Sequence, residues 1–221
     1  MGTSQQLDAV LPGAGRRAKG LAREAAITRA AADAIAELGL ANVRVVDVAE
    51  RAGVALGHVT YYFHSKDELL MRAVRQIEDE DLERMRTETH ALADPWERVM
   101  RLAEIVLANG PGDAGWVVWF DVWSKAVRDE LVAVQGAQME ARWRSEMTDA
   151  VQSGMDQGAF LVADANATAL AITSLIAGLS IRLTLGRGGL SRGDVLPVLR
   201  SAIATLLTAG HRAAPRPAAD G

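Results

Sequence analysis

Residues 45–70 of the chain read VVDVAERAGVALGHVTYYFHSKDELL, and this stretch decides the fold. Two short helical segments flank a Gly-Val-Ala turn that begins at Gly53, a pattern that predicts a helix-turn-helix. In the second segment Val59 and Phe63 lie four residues apart, so both are predicted to face inward. The opposite, exposed face then carries a leucine, a glycine, two hydroxyl residues and a histidine: Leu56, Gly57, Thr60, Tyr61 and His64.

Hydroxyl and cationic side chains are concentrated in this stretch, although only 5% of the chain is aromatic. Tyr61 and Tyr62 are the only two tyrosines of the chain, and Lys66 follows them closely. Such groups commonly contact DNA phosphates, and a short helix can enter the major groove. Upstream, the first predicted helix begins with a basic cluster that can reach a phosphate backbone or a minor groove: Arg16, Arg17, Lys19 and Arg23.

The composition is that of a folded protein, with 221 residues, 49% hydrophobic and 24% charged. The absence of cysteine excludes disulfides and thiolate metal sites and fits a reducing cytoplasm. Residues 1–20 lack the apolar core of a signal peptide. A net charge of −4 argues against a globally basic nucleic-acid binder but allows a local basic patch. The most apolar segment, 165–185, includes Asn166 and Arg182, so we interpret it as a buried or interface helix and expect no membrane partner.

The remainder of the chain predicts one helix after another without a sustained period of two, so the expected fold class is all-α. Ser65 and Glu68 have capping-box spacing, Pro95 suits a first helical turn and Asp164 suits a cap. About nine helices are predicted, at approximately 17–38, 46–52, 56–63, 66–92, 95–108, 115–127, 130–153, 165–185 and 192–207.

Four segments are expected along the chain. Residues 1–15 and 211–221 are predicted to be disordered tails, because they are rich in Gly, Pro, Ala and polar residues. Residues 16–66 are predicted to form a three-helix DNA-binding domain that contains the helix-turn-helix. Residues 67–210 are predicted to form a larger helical domain for effector binding and dimerisation.

The stretch 45–70 resembles the signature of the TetR (tetracycline repressor) family. The shared pattern is A-x-x-A-G-V, a turn, a short aromatic helix and S-K-x-x-L-L. It is carried by Ala49, Ala52, Gly53, Val54, Gly57, Tyr61, Phe63, Ser65, Lys66, Leu69 and Leu70.

The resemblance implies a role for each matching residue. Leu56, Gly57 and Thr60 would face bases, whereas Tyr61, Tyr62 and Lys66 would contact phosphates. His58, where the family often has a small hydroxyl residue, and His64 complete the predicted DNA-binding set. Arg44 stands where a threonine often caps the second helix, so that cap is expected from elsewhere, such as Asn42.

Tryptophans are confined to the predicted C-terminal domain. Trp116, Trp119 and Trp123 fall on one helical face, and residues 115–132 resemble the C-terminal domain of the choline-responsive branch of the same family. Indole faces attract quaternary ammonium groups, with Asp121 or Glu104 as a counter-charge. A hydrophobic effector is equally compatible, and the aromatic stripe could instead only pack the core. The candidate effector residues are Trp96, Met100, Trp116, Trp119, Phe120, Trp123, Trp143 and Met147.

The last two predicted helices carry leucines that could form a two-fold symmetric four-helix interface. The candidate interface residues are Leu175, Leu179, Leu183, Leu196 and Leu199. The alternative is that the same residues pack inside one subunit.

The expected function is that of a cytoplasmic, ligand-responsive transcriptional regulator. In its simplest form it is a homodimeric repressor that binds a palindromic double-stranded DNA operator and is released by a small-molecule effector, although activation stays open. One rival is a helical protein-interaction module without DNA binding. The other is an enzyme, which we do not expect, because no H-E-x-x-H, G-x-S-x-G or P-loop pattern occurs. No cofactor, metal or catalytic residue is predicted.

Overall fold

The computed structural model describes residues 14–208, with side chains from residue 17 onward, and the regular structure of this part is entirely helical. A 3₁₀ turn, Leu40–Asn42, follows the first helix. Nine α-helices lie within these residues: α1 Ala14–Leu38, α2 Val45–Ala52, α3 Leu56–Tyr62, α4 Lys66–Thr89, α5 Pro95–Val106, α6 Ala114–Ala126, α7 Glu130–Asp156, α8 Ala165–Leu185 and α9 Arg192–Thr208.

The all-α prediction is thereby confirmed, and the predicted helix positions agree to within a few residues. Helix α1 begins at Ala14, three residues before the predicted start and inside the tail predicted at 1–15. The rest of that tail and the tail predicted at 211–221 lie outside the described residues. Helices α4 and α5 end at Thr89 and Val106, before the predicted 92 and 108, whereas α7 continues to Asp156, beyond the predicted 153.

The chain divides between Gln76 and Ile77 into two compact units, and α4 contributes residues to both. The prediction ended the N-terminal domain at residue 66 instead. The first turns of α4 belong with that unit because Arg72 pairs with Glu24 of α1 at 3.3 Å. Leu69 is also buried, at 1% exposure, together with Val74.

The C-terminal unit has its core where α5, α7, α8 and α9 meet, around Leu102, Ile172, Ile176 and Leu199. Helix α8 is the one helix of the described residues with the length and mean hydropathy of a membrane span. Of its most apolar 18-residue stretch, 33% is buried. Its inward face contributes Ile172 and Ile176 to the core, which is typical of an apolar helix in a folded domain.

Aspartate caps fix the starts of the helices in this unit. Asp94, Asp113, Asp129 and Asp164 each accept a hydrogen bond from a first-turn backbone N–H, as helix N-caps do. The predicted roles of Pro95 and Asp164 are confirmed. These caps set where α6 and α7 begin and therefore which of their residues face inward.

Candidate functional site

Helices α2 and α3 form a helix-turn-helix whose turn depends on Gly53. The φ angle of Gly53 is 65°, a left-handed conformation that only glycine adopts without strain. Its N–H donates to the carbonyl of Glu50 at 3.1 Å, and the N–H of Val54 donates to that of Ala49 at 3.0 Å. The chain therefore turns at Gly53 and enters α3 through Ala55, whose backbone is extended.

The start of α2 is capped by Asp47, and Asn42 does not provide the cap. The carboxylate of Asp47 accepts from the backbone N–H of Arg44 at 2.9 Å and from the Arg44 guanidinium. This contact lowers the pKa of Asp47. The predicted Asn42 cap is wrong, because the amide of Asn42 donates instead to the Leu38 carbonyl at the end of α1, at 2.9 Å.

Helix α3 has the two faces that its sequence predicts. Val59 and Phe63 are buried at 1% and 3% exposure and anchor the helix to the N-terminal unit. Leu56, Gly57, His58, Thr60 and Tyr61 are exposed. The outward face therefore presents a glycine, an apolar side chain and three polar groups.

The two tyrosines have different surroundings. The Tyr61 side chain is 77% exposed and packs edge-to-face against Tyr62 at 5.1 Å between ring centroids. Tyr62 is half-buried, and its hydroxyl lies 3.8 Å from the point that a Cβ on Gly20 of α1 would occupy. Tyr61 thus faces solvent, while Tyr62 also packs between α3 and α1.

The predicted cations of this unit lie on its surface. Arg17, Lys19 and Lys66 are exposed, and the side chain of Arg16 lies outside the described residues. His64 is exposed but faces Glu68, with Nδ1 3.3 Å from the carboxylate, which also accepts from the His64 backbone N–H at 2.8 Å. Ser65 accepts from the N–H of Glu68 at 3.1 Å and caps α4 as predicted.

The C-terminal unit contains a cavity of about 660 Å³ that is partly open to solvent. Its wall is built from α4, α5, α6, α7 and α8, with Arg192 of α9 at one side. Five of the eight predicted effector residues line it: Trp116, Trp119, Trp123, Trp143 and Met147.

The other three predicted effector residues are not among the lining residues. Met100 is buried in the core at 3% exposure because it lies on the inner face of α5. Trp96 packs on the core near the start of α5, with the guanidinium of Arg200 5.9 Å from its ring. Phe120 packs against Trp116 and Trp123 along α6, with ring centroids 6.5 and 6.1 Å away.

Indole N–H groups orient the tryptophans of the cavity wall. Trp143 donates to the carboxylate of Glu78 on α4, and Trp123 donates to Glu140 of α7 at 2.6 Å. Trp116 donates to the carbonyl of Val106 at 2.9 Å. Because their N–H edges are held by acceptors in the wall, these rings have fixed orientations.

Glu78 is the most perturbed acid of the cavity. It is 8% exposed, and burial raises its pKa to about 7, while hydrogen bonds from Trp143 and Trp119 favour the charged form. Asp81 raises this pKa further, and Arg142 lowers it. Near neutral pH Glu78 can therefore exist in either protonation state.

Most other charges of the cavity wall are paired locally. Asp81 pairs with Arg84, and Glu88 pairs with Arg101 at 2.5 Å. Arg192 donates to the carbonyls of Glu104 and Leu107 at the end of α5, each at 2.5 Å. Of the two predicted counter-charges, Glu104 lines the cavity and Asp121 is not among the lining residues.

Sequence analysis missed the acids that hold the indoles, Glu78 and Glu140. Glu78, Asp81, Met85 and Glu88 recur on one face of α4, and this spacing is visible in the sequence. The pairing of Glu78 with Trp143 joins residues 65 positions apart, and no local pattern reports it.

The predicted interface leucines fall into two groups. Leu183 and Leu199 are 0% exposed inside the C-terminal unit, so they are not available to a second subunit. Leu175, Leu179 and Leu196 are half-buried against the core. The large exposed apolar residues of these helices are instead Leu170 and Leu185 of α8 and Val198 of α9, at 50%, 57% and 57% exposure. Of these, Leu170 also lines the cavity.

Two family models match the chain. The model described as bacterial regulatory proteins, tetR family, matches residues 27–73. The model described as BetI-type transcriptional repressor, C-terminal, matches residues 95–208. The first match covers the helix-turn-helix, and the second covers the helices that supply most of the cavity wall.

Named relatives and solved structures agree with these matches. HTH-type transcriptional regulator BetI 2 of Chromohalobacter salexigens is 28% identical over 194 residues, which are 84% of this chain and 89% of that protein. A transcriptional regulator from Saccharomonospora viridis, solved in complex with choline, is 30% identical with a TM-score of 0.68, covering 82% of this chain and 93% of that one. A TetR-family regulator from Rhodococcus sp. is 31% identical with a TM-score of 0.67, covering 84% and 98%.

Proposed function

Because the chain belongs to the TetR family of transcriptional regulators and has a BetI-type C-terminal domain, we propose that it is a repressor released from its operator by a cationic effector. TetR regulators bind operator DNA and small-molecule effectors. The relatives named above are transcriptional regulators, which supports regulation and not catalysis. Such a regulator acts where its DNA is, and we place it in the cytoplasm.

The N-terminal unit is assigned to DNA. Leu56, Gly57 and Thr60 lie on the exposed face of α3 and are the residues proposed to meet base edges in the major groove. Tyr61 and Lys66 are proposed to contact phosphates, because both are exposed at the end of α3 and the start of α4. Arg17 and Lys19 can extend that contact along α1. The half-burial of Tyr62 gives it a second role, which is to support Tyr61 and α1.

The cavity of the C-terminal unit is assigned to the effector, and one observation carries the cationic class. A buried carboxylate, Glu78, accepts from the Trp143 indole at a cavity wall that Trp119 also lines. Aromatic faces attract an ammonium group by about 0.5–2 kcal/mol each, and an adjacent carboxylate adds a counter-charge. The related Saccharomonospora viridis regulator was solved with choline, which is such a cation.

A homodimer is proposed through the outer faces of α8 and α9. Val198 is exposed there, and small residues such as Ala171 and Gly178 would let two copies approach closely. A two-fold axis would present two α3 helices to the two half-sites of a palindromic operator, about one DNA turn apart.

Helix α4 is the proposed connection between the two functions. Lys66 at its start is a phosphate candidate, while Glu78, Met85 and Glu88 further along line the cavity. A cation that binds Glu78 better in the DNA-free conformation would shift the equilibrium away from the operator. The loss of operator affinity is then set by the difference in effector affinity between the two conformations.

Binding of the ligand-free protein to DNA from beside its own gene tests the DNA role. Fluorescence anisotropy at two salt concentrations should show saturable, selective binding that weakens as salt increases. Lys66→Ala should lower the salt slope by about one per subunit, because one phosphate contact is lost. Tyr61→Phe should weaken binding by about 1 kcal/mol through loss of one hydrogen bond.

Lys125→Ala is the matched control, since it removes the same charge from α6 in the C-terminal unit. It should leave both affinity and salt slope unchanged. If the wild-type protein shows no selective binding, or if Lys125→Ala and Lys66→Ala behave alike, the proposed DNA surface is wrong.

A further inference from the structure

The cavity is much longer than a small ammonium head group. Glu78 and Glu88 both line it from α4, and ten residues of helix between them span about 15 Å. Its volume of about 660 Å³ lies within the range of pockets that enclose drug-sized ligands. Choline has fewer non-hydrogen atoms than the indole ring system of one tryptophan, so it would leave most of this space unfilled.

The two ends of the cavity differ in chemistry. Near Glu78 the wall carries the tryptophans, including Trp119 and Trp143. Beside the Glu88–Arg101 pair the wall carries aliphatic and thioether side chains, with Met85, Leu102, Met147 and Leu170. Methionine side chains adapt their shape to an apolar chain of variable length.

The charged residues of the cavity wall also differ between the two ends. Within the described residues Glu78 forms no ion pair, because the nearby Arg142 pairs with Asp79 at 2.5 Å. At the other end Glu88 and Arg101 neutralise each other at 2.5 Å, and Asp81 pairs with Arg84 between the two ends. A positive group is therefore favoured at the Glu78 end, while the Glu88 end favours an uncharged group.

We propose that the effector is an elongated monocation, with a quaternary or tertiary ammonium head between Glu78, Trp119 and Trp143 and an uncharged chain running along α4 towards Leu170. This inference rests on the proposed function, since it takes the cation-binding role of the Glu78 end as given. Leu170 is half exposed, so a chain that passes it enters water. The ligand class is thus an ammonium ion with an alkyl or acyl chain. The chain adds to the affinity only up to the length at which it leaves the cavity.

Isothermal titration calorimetry with a series of alkyltrimethylammonium ions tests this. The probes are tetramethylammonium, choline, and the butyl, hexyl, octyl and decyl compounds, used below their micelle concentrations. Affinity should rise about fourfold per methylene while the chain is buried, and then level off once it reaches Leu170.

A variant at the Glu88 end distinguishes burial of the chain in the cavity from nonspecific hydrophobic binding elsewhere on the protein. Thr173 lines the cavity, and its hydroxyl bonds back to its own helix at the carbonyl of Ala169, at 2.9 Å. Thr173→Met should shorten the optimal chain and leave the affinity for tetramethylammonium unchanged. Thr87→Met on the exposed side of α4 is the control, because the Thr87 hydroxyl makes the same kind of bond, to the carbonyl of Glu83 at 2.9 Å, and Thr87 does not line the cavity.

Each outcome decides between the two proposals. If choline and tetramethylammonium bind well but added methylenes gain nothing in the wild-type series, the elongated ligand is wrong and the cation site stands. If affinity rises with chain length equally in all three proteins, chain burial beside Thr173 is wrong. If no cation of any length binds, both the elongated ligand and the cationic effector are overturned.

Discussion

At the scale of single residues, Glu78 is the centre of the effector assignment. An acid buried at 8% exposure would be costly without compensation, and here the indole N–H of Trp143 donates to it. Burial still dominates, so its pKa is raised to about 7. A bound cation would favour the ionised form, which links effector binding to the loss of a proton.

The affinity for quaternary ammonium ions should therefore depend on pH. Glu78 is about 10% ionised at pH 6 and about 90% ionised at pH 8, so affinity should rise by up to about tenfold over this interval. Glu78→Gln should bind these cations more weakly and without this pH dependence. Calorimetry with tetramethylammonium at pH 6, 7 and 8 measures both effects.

Glu83→Gln is the matched control, since Glu83 is exposed on the same helix and does not line the cavity. It should retain the wild-type pH profile. A flat wild-type profile, or a Glu78→Gln variant that keeps the rise, would remove Glu78 from the site.

Residue by residue, sequence analysis predicted the exposed face of α3 more fully than the cavity wall. The exposed positions of α3 follow from the helical period once Val59 and Phe63 are recognised as its buried anchors. The cavity residues depend on contacts between helices distant in sequence. A tryptophan pattern alone could not distinguish Trp143, which lines the cavity, from Trp96, which packs on the core.

At the scale of helices, α8 and α9 illustrate how a leucine pattern can be misassigned. Leu183 and Leu199 look like interface residues in the sequence, yet each is fully buried in its own unit. The face left exposed carries Val198 of α9 among small residues. Helix ends were more predictable, because caps such as Asp164 and Ser65 act locally.

The outer face of α9 should control the association of two copies. Val198→Glu places a charge at the proposed interface and should shift the protein from dimer to monomer in analytical ultracentrifugation, because an unpaired charge is costly to bury. Val127→Glu is the control, since Val127 is 82% exposed at the end of α6 and lies outside α8 and α9. A dimer that survives Val198→Glu, or that is lost equally with Val127→Glu, would contradict this interface.

At the scale of the whole molecule, two units of different chemistry share one helix. The chain divides within α4, after Gln76, and no sequence pattern marks that point because the helix runs through it without interruption. The predicted boundary at residue 66 followed the start of the helix. The first turns of α4 nevertheless belong to the N-terminal unit, as the Arg72–Glu24 pair shows.

The central claim is that a cation in the cavity releases the protein from DNA. The most direct measurement is operator affinity by fluorescence anisotropy, with and without a saturating quaternary ammonium ion, for the wild-type protein and Glu78→Gln. Allosteric coupling of typical size, about 1–3 kcal/mol, predicts a 5- to 150-fold loss of wild-type affinity. Glu78→Gln should bind the operator normally and resist release. If the cation leaves the operator affinity of the wild-type protein unchanged, or releases Glu78→Gln from the operator to the same extent, the account is contradicted.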